Sequence, residues 1–203
     1  IGDTAPDFIE WKAAGPVQLS DYRGRWLLFF SHPGDFTPVC TSEFLAIARA
    51  ADRFAALDCV LLAHSVDSLF SHLAWIRALR DDLGVAIPFP IVEDPSLEIA
   101  HAFGMVDAQS FSAATVRAAF FIDPDGVVRA LTIYPLTVGR SVDEMLRTVA
   151  ALQRTSDGSA MTPEGWQPGD DLLVPPELAA DGVLAADNPT GWFYTLASDG
   201  RAR

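Results

Sequence analysis

Two apolar runs, RWLLFFSH at residues 25–32 and CVLLAHSV at residues 59–66, constrain the fold more than any other feature of the chain. Each is continuous rather than alternating and too brief for a core helix, so each predicts a strand buried on both faces. The first run ends at a Pro-Gly turn and feeds a helix predicted from Pro38 to Leu57, in which Phe44, Ile47, Ala48, Ala51, Phe54 and Ala55 recur at helical spacing. The second leads to a helix capped by Ser68, carrying Leu69, Leu73, Trp75, Ile76 and Leu79 and ended by Gly84. FPIV at residues 89–92 reads as a short strand or extended segment, and another helix follows Asp94 and Pro95 through Leu97, Ile99, Ala100 and Phe103.

Further along, TVRAAFFI and VVRALTIY, residues 115–122 and 127–134, flank Asp123-Pro124-Asp125-Gly126. Asp and Gly supply the dihedrals of a tight turn, so these are adjacent antiparallel strands. A last helix is expected from Ser141 to Arg154, with Ser141 and Glu144 at capping-box positions. Parallel strands need helical crossovers and the hairpin adds an antiparallel edge, which together predict an α/β domain with a mixed sheet. Beyond residue 155, Pro163, Pro168, Pro175, Pro176 and Pro189 break the chain while Trp166, Trp192, Phe193 and Tyr194 offer apolar anchors, the pattern of a docked arm. The expected division is therefore a domain over 1–154 and an arm over 155–203.

Of 203 residues, half are hydrophobic, enough for a substantial core, and the net charge is −13 with Lys12 the sole lysine. Nucleic-acid binding rests on cationic contacts, so that balance argues against it. No apolar segment reaches the roughly 18–20 residues that span a bilayer, and the N-terminus carries no basic-then-apolar signal pattern. A cytoplasmic protein fits, although a chain that begins at Ile1 leaves a removed presequence open. Two cysteines are too few for a disulfide scaffold, and the chain has no CxxC pair and no Cys/His set at zinc-ligand spacing.

Cys40 closes the stretch PGDFTPVC. Thr37 suits the N-cap and Pro38 the first helical position, which puts Cys40 third, beside unpaired backbone N–H groups. The positive end of a helix dipole favours a thiolate there. Cys40 is then either a nucleophile or a small core residue at a helix end. Cys59, inside CVLLA, reads as an inert buried thiol. Arg117 alone reads as an edge-strand or snorkelling arginine.

PGDFTPVC, with Pro33, Thr37 and Cys40 in a PxxxTxxC arrangement, resembles the active-site loop of the peroxiredoxins. The resemblance continues through SVDSLFSHLAWI, PFPIVED, TVRAAFFIDPDG, YPLTVGRSVDEMLR and WQPGDDLLVPP, and so covers nearly the whole chain. The HLAW and arm segments are most similar to the single-cysteine, peroxiredoxin-6-like branch. That resemblance implies a thioredoxin-like fold followed by a C-terminal dimerisation arm. It implies a thiol peroxidase that reduces hydrogen peroxide and alkyl hydroperoxides, with Cys40 as the peroxidatic cysteine passing through a sulfenic acid. Pro33 would shield the sulfur, Thr37 would hydrogen-bond the peroxide, and Arg117 would stabilise the thiolate and the charge that develops on oxygen. Glu43 and Arg140 resemble the pair that orients the active-site arginine, against a plain reading as a solvated helix charge and a loop arginine. His32 either tunes or helps reduce the sulfur or is a structural histidine at a strand end. His64, His72 and His101 read as structural or surface residues, and neither a metal nor a cofactor is expected.

Residues 60–203 contain no cysteine that could resolve the sulfenate, so the expected reductant is an external thiol or another small reductant. The expected assembly is a homodimer or a higher ring. The phospholipase element of some relatives finds no match in LSDYRGRWLLFFSHP, which has no serine between Gly24 and Phe30 and has Ser20 where a histidine would fall. The alternative to catalysis is an oligomeric holdase-type chaperone; a general thiol-disulfide oxidoreductase lacks its CxxC.

Overall fold

The computed structural model describes residues 1–12, 15–106, 112–176, 183 and 190–200. Two compact units divide the chain, Ile1–Val142 and Asp143–Arg203.

The first unit is built on a five-stranded mixed sheet of β3 (Trp26–Ser31), β4 (Cys59–Ser65), β5 (Ile91–Glu93), β6 (Arg117–Ile122) and β7 (Val128–Tyr134), in the order β5-β4-β3-β6-β7. β3, β4 and β5 are mutually parallel, as strands joined through helices must be, and β6 and β7 run antiparallel to their neighbours. Gly126 takes the left-handed backbone of the hairpin turn at φ 74°. A smaller antiparallel pair, β1 (Ile9–Lys12) with β2 (Gly15–Gln18), lies N-terminal to the sheet; short and half polar, it carries none of the apolar signal of the central strands.

Successive residues of β3 point to opposite faces of the sheet. Phe29 packs with Phe8, Phe103 and Phe120 on one face, where α4 (Glu98–Ala102) contributes Ile99 and Ala100 to the core. Phe30 meets Phe44 and Phe89 on the other. His32, two residues beyond Phe30, joins Phe44 of α1 (Pro38–Arg49) and Trp75 of α3 (Leu69–Leu83) on that second face. Ser68 caps α3 by accepting from Ser71 N–H, and Gly84 ends it in the left-handed region, both as expected.

The helix expected from Pro38 to Leu57 is two helices, α1 and α2 (Ala51–Ala56). The backbone leaves helical geometry at Ala50, φ −98° and ψ 3°, where no Gly or Pro marks the break, and Phe54 remains fully buried beyond it.

The second unit contains all but the first residue of α5 (Val142–Thr155) and the pair β8 (Leu172–Leu173) with β9 (Leu196–Ala197). Trp166, an expected anchor, is buried and donates its indole N–H to the Asp170 carbonyl, whereas Trp192, Phe193 and Tyr194 are largely exposed. Pro189 lies outside the described residues. No helix among the described residues is long and apolar enough to cross a membrane.

Candidate active site

The C-terminal end of β3 is pinned before the chain enters the Pro33–Thr37 loop. His32 N–H donates to the His64 carbonyl at 2.9 Å, and Ser31 Oγ donates to the Val116 carbonyl at 2.6 Å while accepting from Ala118 N–H at 3.0 Å. Asp67 holds the loop from the other side, its carboxylate accepting from Asp35 N–H at 2.7 Å. The chain then turns into α1 with Thr37 as N-cap and Pro38 in the first turn.

Thr37 caps with its extended backbone alone, since no side-chain cap bond forms. Its Oγ1 donates to the Gly34 carbonyl at 2.8 Å. The Thr37 hydrogen is thus committed within the loop, and a hydrogen bond from Thr37 to a peroxide would use the oxygen lone pairs.

Cys40, Phe44 and Ile47 form the core stripe of α1, and each is fully buried. The sulfur is therefore closed to solvent, as the reading of Cys40 as a core residue at a helix end has it. It is not in a purely apolar setting, because Arg117 Nη1 donates to Cys40 Sγ at 3.3 Å. Arg117 sits on β6, between β3 and β7, so it is not an edge-strand residue. Its other donors are fixed: Nε and Nη2 both donate to the Leu136 carbonyl, at 2.9 and 2.8 Å, and Nη1 also donates to Glu43 Oε2 at 2.8 Å.

Glu43 lies one turn beyond Cys40 and accepts four bonds. Oε1 takes Arg140 N–H at 2.7 Å and Arg140 Nε at 2.8 Å; Oε2 takes Arg140 Nη2 at 2.9 Å in addition to Arg117. Burial works to raise this carboxyl, but the hydrogen bonds and charge of Arg140, with Arg117, hold it below its ordinary value. Arg140 Nη1 donates to the Ala118 carbonyl at 2.5 Å, and its guanidinium lies 5.6 Å from the Phe30 ring centre. The plain readings of Glu43 and Arg140 as surface charges are thus overturned, since both are buried in one network with Arg117.

Cys59 stands apart from this network. It pairs in register with Trp26, at the start of β3, whereas the loop to Cys40 leaves from its end. A strand of that length, six residues, spans roughly 17–20 Å, well beyond the ~7 Å limit for the Cα atoms of a disulfide. Burial pushes the Cys59 thiol up to about 12.

One grouping carried little signal in the sequence. His32 Nε2 and His72 Nδ1 each lie 2.8 Å from a different oxygen of Asp35, and all three side chains are buried. Their ligand atoms fall within 4.8 Å of one another, close enough to hold a metal ion, but both nitrogens facing Asp35 are occupied by hydrogen bonds to it. His72, read as a structural or surface residue, is part of this cluster; His64 is buried against Asp94 at 3.0 Å, and His101 is exposed. The one available clue lay in α3, where His72 shares a buried face with Trp75 and Leu79.

Residues 1–131 match the AhpC/TSA family, and residues 151–186 match the C-terminal domain of 1-Cys peroxiredoxin. The chain belongs to the peroxiredoxin family and is a thiol peroxidase with a thioredoxin-like fold. A peroxiredoxin of Thermoplasma volcanium is 44% identical over 196 residues, covering 95% of this chain and 96% of that protein. Among solved structures, a yeast mitochondrial 1-Cys peroxiredoxin superposes with a TM-score of 0.86 at 35% identity, over 98% of this chain and 99% of that one. A peroxiredoxin 6 of Arenicola marina gives 0.81 at 34% identity, over 90% and 86%.

Proposed function

We propose that the protein reduces hydrogen peroxide and alkyl hydroperoxides through Cys40 alone, in a 1-Cys cycle completed by an external thiol. The observation that carries this reading is the 3.3 Å contact from Arg117 Nη1 to Cys40 Sγ, made by a guanidinium that Leu136 and Glu43 hold in place. The sulfur attacks the terminal peroxide oxygen, the O–O bond breaks, and water or an alcohol leaves. Charge moves from sulfur to oxygen, and a fixed guanidinium stabilises both ends of that shift without reorganising.

Thr37 Oγ1, its own hydrogen given to Gly34, accepts the hydrogen of the incoming hydroperoxide. Pro33 shields the sulfur, and Glu43 with Arg140 aims Arg117. His32 bears on the reduction of the sulfur.

The placement of Cys59 at the far end of β3 supports an external rather than an internal resolving thiol. In the yeast mitochondrial 1-Cys peroxiredoxin the thiol is resolved via glutathione and thioredoxin systems, which is consistent with a thiol reductant here. Residues 155–203 serve as the arm of a homodimer or higher ring in a cytoplasmic protein; the match of residues 151–186 to the 1-Cys C-terminal domain supports the arm alone. Neither the relatives nor the geometry favours the holdase alternative.

Peroxide consumption by wild type and Cys40→Ser, run with a panel of monothiols and dithiols, tests this. Wild type should turn over with at least one external thiol, and Cys40→Ser should fall to background. Equal turnover by both proteins would remove Cys40 from the chemistry.

A further inference from the structure

The Pro33–Thr37 loop leaves β3 beside the turn that joins β4 to α3, because β3 and β4 are adjacent parallel strands and their C-terminal ends lie together. Asp67 sits in that turn. Its Oδ2 accepts from Asp35 N–H at 2.7 Å and from Ser65 Oγ at 3.2 Å, while its own N–H donates to Ser65 Oγ at 3.2 Å. Ser65 is fully buried on β4, so the carboxylate is aimed from a fixed strand end.

Asp35 N–H and the Gly34 carbonyl belong to one peptide unit. That unit is planar and trans, so the two groups point in opposite directions and turn together. Asp67 holds the N–H end, and at the other end the Gly34 carbonyl accepts from Thr37 Oγ1 at 2.8 Å. A Cβ on Gly34 would lie 3.6 Å from Asp67 Oδ2 and 3.8 Å from Thr37 Cγ2, ordinary contact distances that put both residues against this one position.

This peptide is free to turn unless it is held. Gly34 has no Cβ to restrict its backbone, and the Asp35 bonds to His32 and His72 lie two side-chain torsions away from the peptide plane. A turned peptide would carry the Gly34 carbonyl away from Thr37 and release the hydroxyl hydrogen. A hydroxyl whose hydrogen is taken can only accept, whereas a released one donates or accepts and no longer selects its partner.

We propose that Asp67 is a positioning residue for peroxide binding: by holding Asp35 N–H it fixes the Gly34–Asp35 peptide, which takes the Thr37 hydrogen and keeps Oγ1 an acceptor for the hydroperoxide O–H. This rests on the reading of Cys40 as the attacking sulfur and of Thr37 as the peroxide contact. Thr37 and Cys40 stand three positions apart at the start of α1. The oxygen that the sulfur attacks is the one that carries the hydrogen, so the contact with Thr37 orients the O–O bond.

A double-mutant cycle on single-turnover oxidation of Cys40 by hydrogen peroxide tests this chain of contacts. Asp67→Ala should lower the second-order rate constant about tenfold, the equivalent of one hydrogen bond. Asp67→Asn keeps an acceptor for Asp35 N–H and should restore most of the rate. Thr37→Val should slow oxidation as well, and adding Asp67→Ala to it should change the rate by less than about twofold. Alkylation of Cys40 by iodoacetamide, which has no hydroperoxide hydrogen to place, should keep its wild-type rate in Asp67→Ala. Should Asp67→Ala fail to fold, Asp67→Glu keeps the charge, shifts the acceptor by one methylene and should show the same selective loss.

An unchanged peroxide rate in Asp67→Ala overturns the proposal, as does Asp67→Asn reacting as slowly as Asp67→Ala. So does a matching change in alkylation, or a full additional loss on top of Thr37→Val, since either marks a general disturbance of the loop. Those results leave the peroxidatic role of Cys40 intact. Failure of peroxide to oxidise wild-type Cys40, or a wild-type rate in Thr37→Val, sinks the underlying reading before any Asp67 variant is compared.

Discussion

Arg117 Nη1 and Glu43 Oε2 meet at 2.8 Å with neither side chain more than 3% exposed, and the same Nη1 reaches the sulfur of Cys40. Two guanidiniums share this one carboxylate. Removing the anion leaves two buried cations without their partner, which in comparable sites costs about 3–5 kcal/mol. Glu43→Ala should therefore lower the free energy of urea unfolding by about that amount and slow Cys40 oxidation as Arg117 loses its alignment. An unchanged unfolding midpoint would show that the network relaxes without cost.

Arg117→Lys tests geometry rather than charge. One ammonium cannot replace the fork that reaches Cys40 Sγ, Glu43 and the Leu136 carbonyl together. The second-order rate constant for peroxide should fall about 100-fold or more, the usual loss when one preorganised donor is removed. Circular dichroism should match wild type; a rate within a few-fold of wild type would mean that charge alone suffices.

Acid should weaken the fold in two stages. His32 and His64 are buried, and burial lowers both below their ordinary value of 6.5 despite their carboxylate partners. The unfolded chain therefore binds protons first, and stability should drop as pH falls below about 6.5, by up to about 1.4 kcal/mol per pH unit for each histidine. Asp35, Glu43 and Asp94 are depressed instead, burial being outweighed by their hydrogen bonds, so their contribution persists above their unfolded values and is lost only at lower pH. Urea titrations at successive pH values should show the first decline already between neutrality and pH 5. A flat profile there would contradict buried, neutral histidines.

Phe36 occupies the left-handed region at φ 57°, and the residue is 59% exposed. A side chain other than Gly, Asn or Asp pays roughly 1–2 kcal/mol for that conformation. Phe36→Asn should raise folding stability by about 1 kcal/mol. A loss of stability on calorimetry would show that contacts of the ring offset the backbone cost.

The sequence carried the sheet well because β3, β4 and β6 are continuous apolar strands, and it carried Cys40, Thr37 and Arg117 through one octapeptide and one strand motif. It did not show the break at Ala50, where an alanine-rich stretch keeps its helical period on both sides. Nor did it show the β1–β2 pair, whose IEWK and GPVQ strands are too short and polar to register. The direction of the Thr37 bond depends on where the Gly34 carbonyl points, a property of the folded loop. Asp35 and His72 are 37 positions apart and meet only because α3 packs on the face of the sheet that also carries His32. Local pattern reads elements and motifs; a hydrogen-bonded cluster assembled by the tertiary fold leaves no period to detect.

Reduced protein treated with one equivalent of hydrogen peroxide without thiol, then trapped with dimedone and peptide-mapped, tests the account most directly. It predicts a stoichiometric dimedone adduct on Cys40 and an unmodified Cys59. A stoichiometric Cys40–Cys59 disulfide, or oxidation elsewhere with Cys40 untouched, would contradict it.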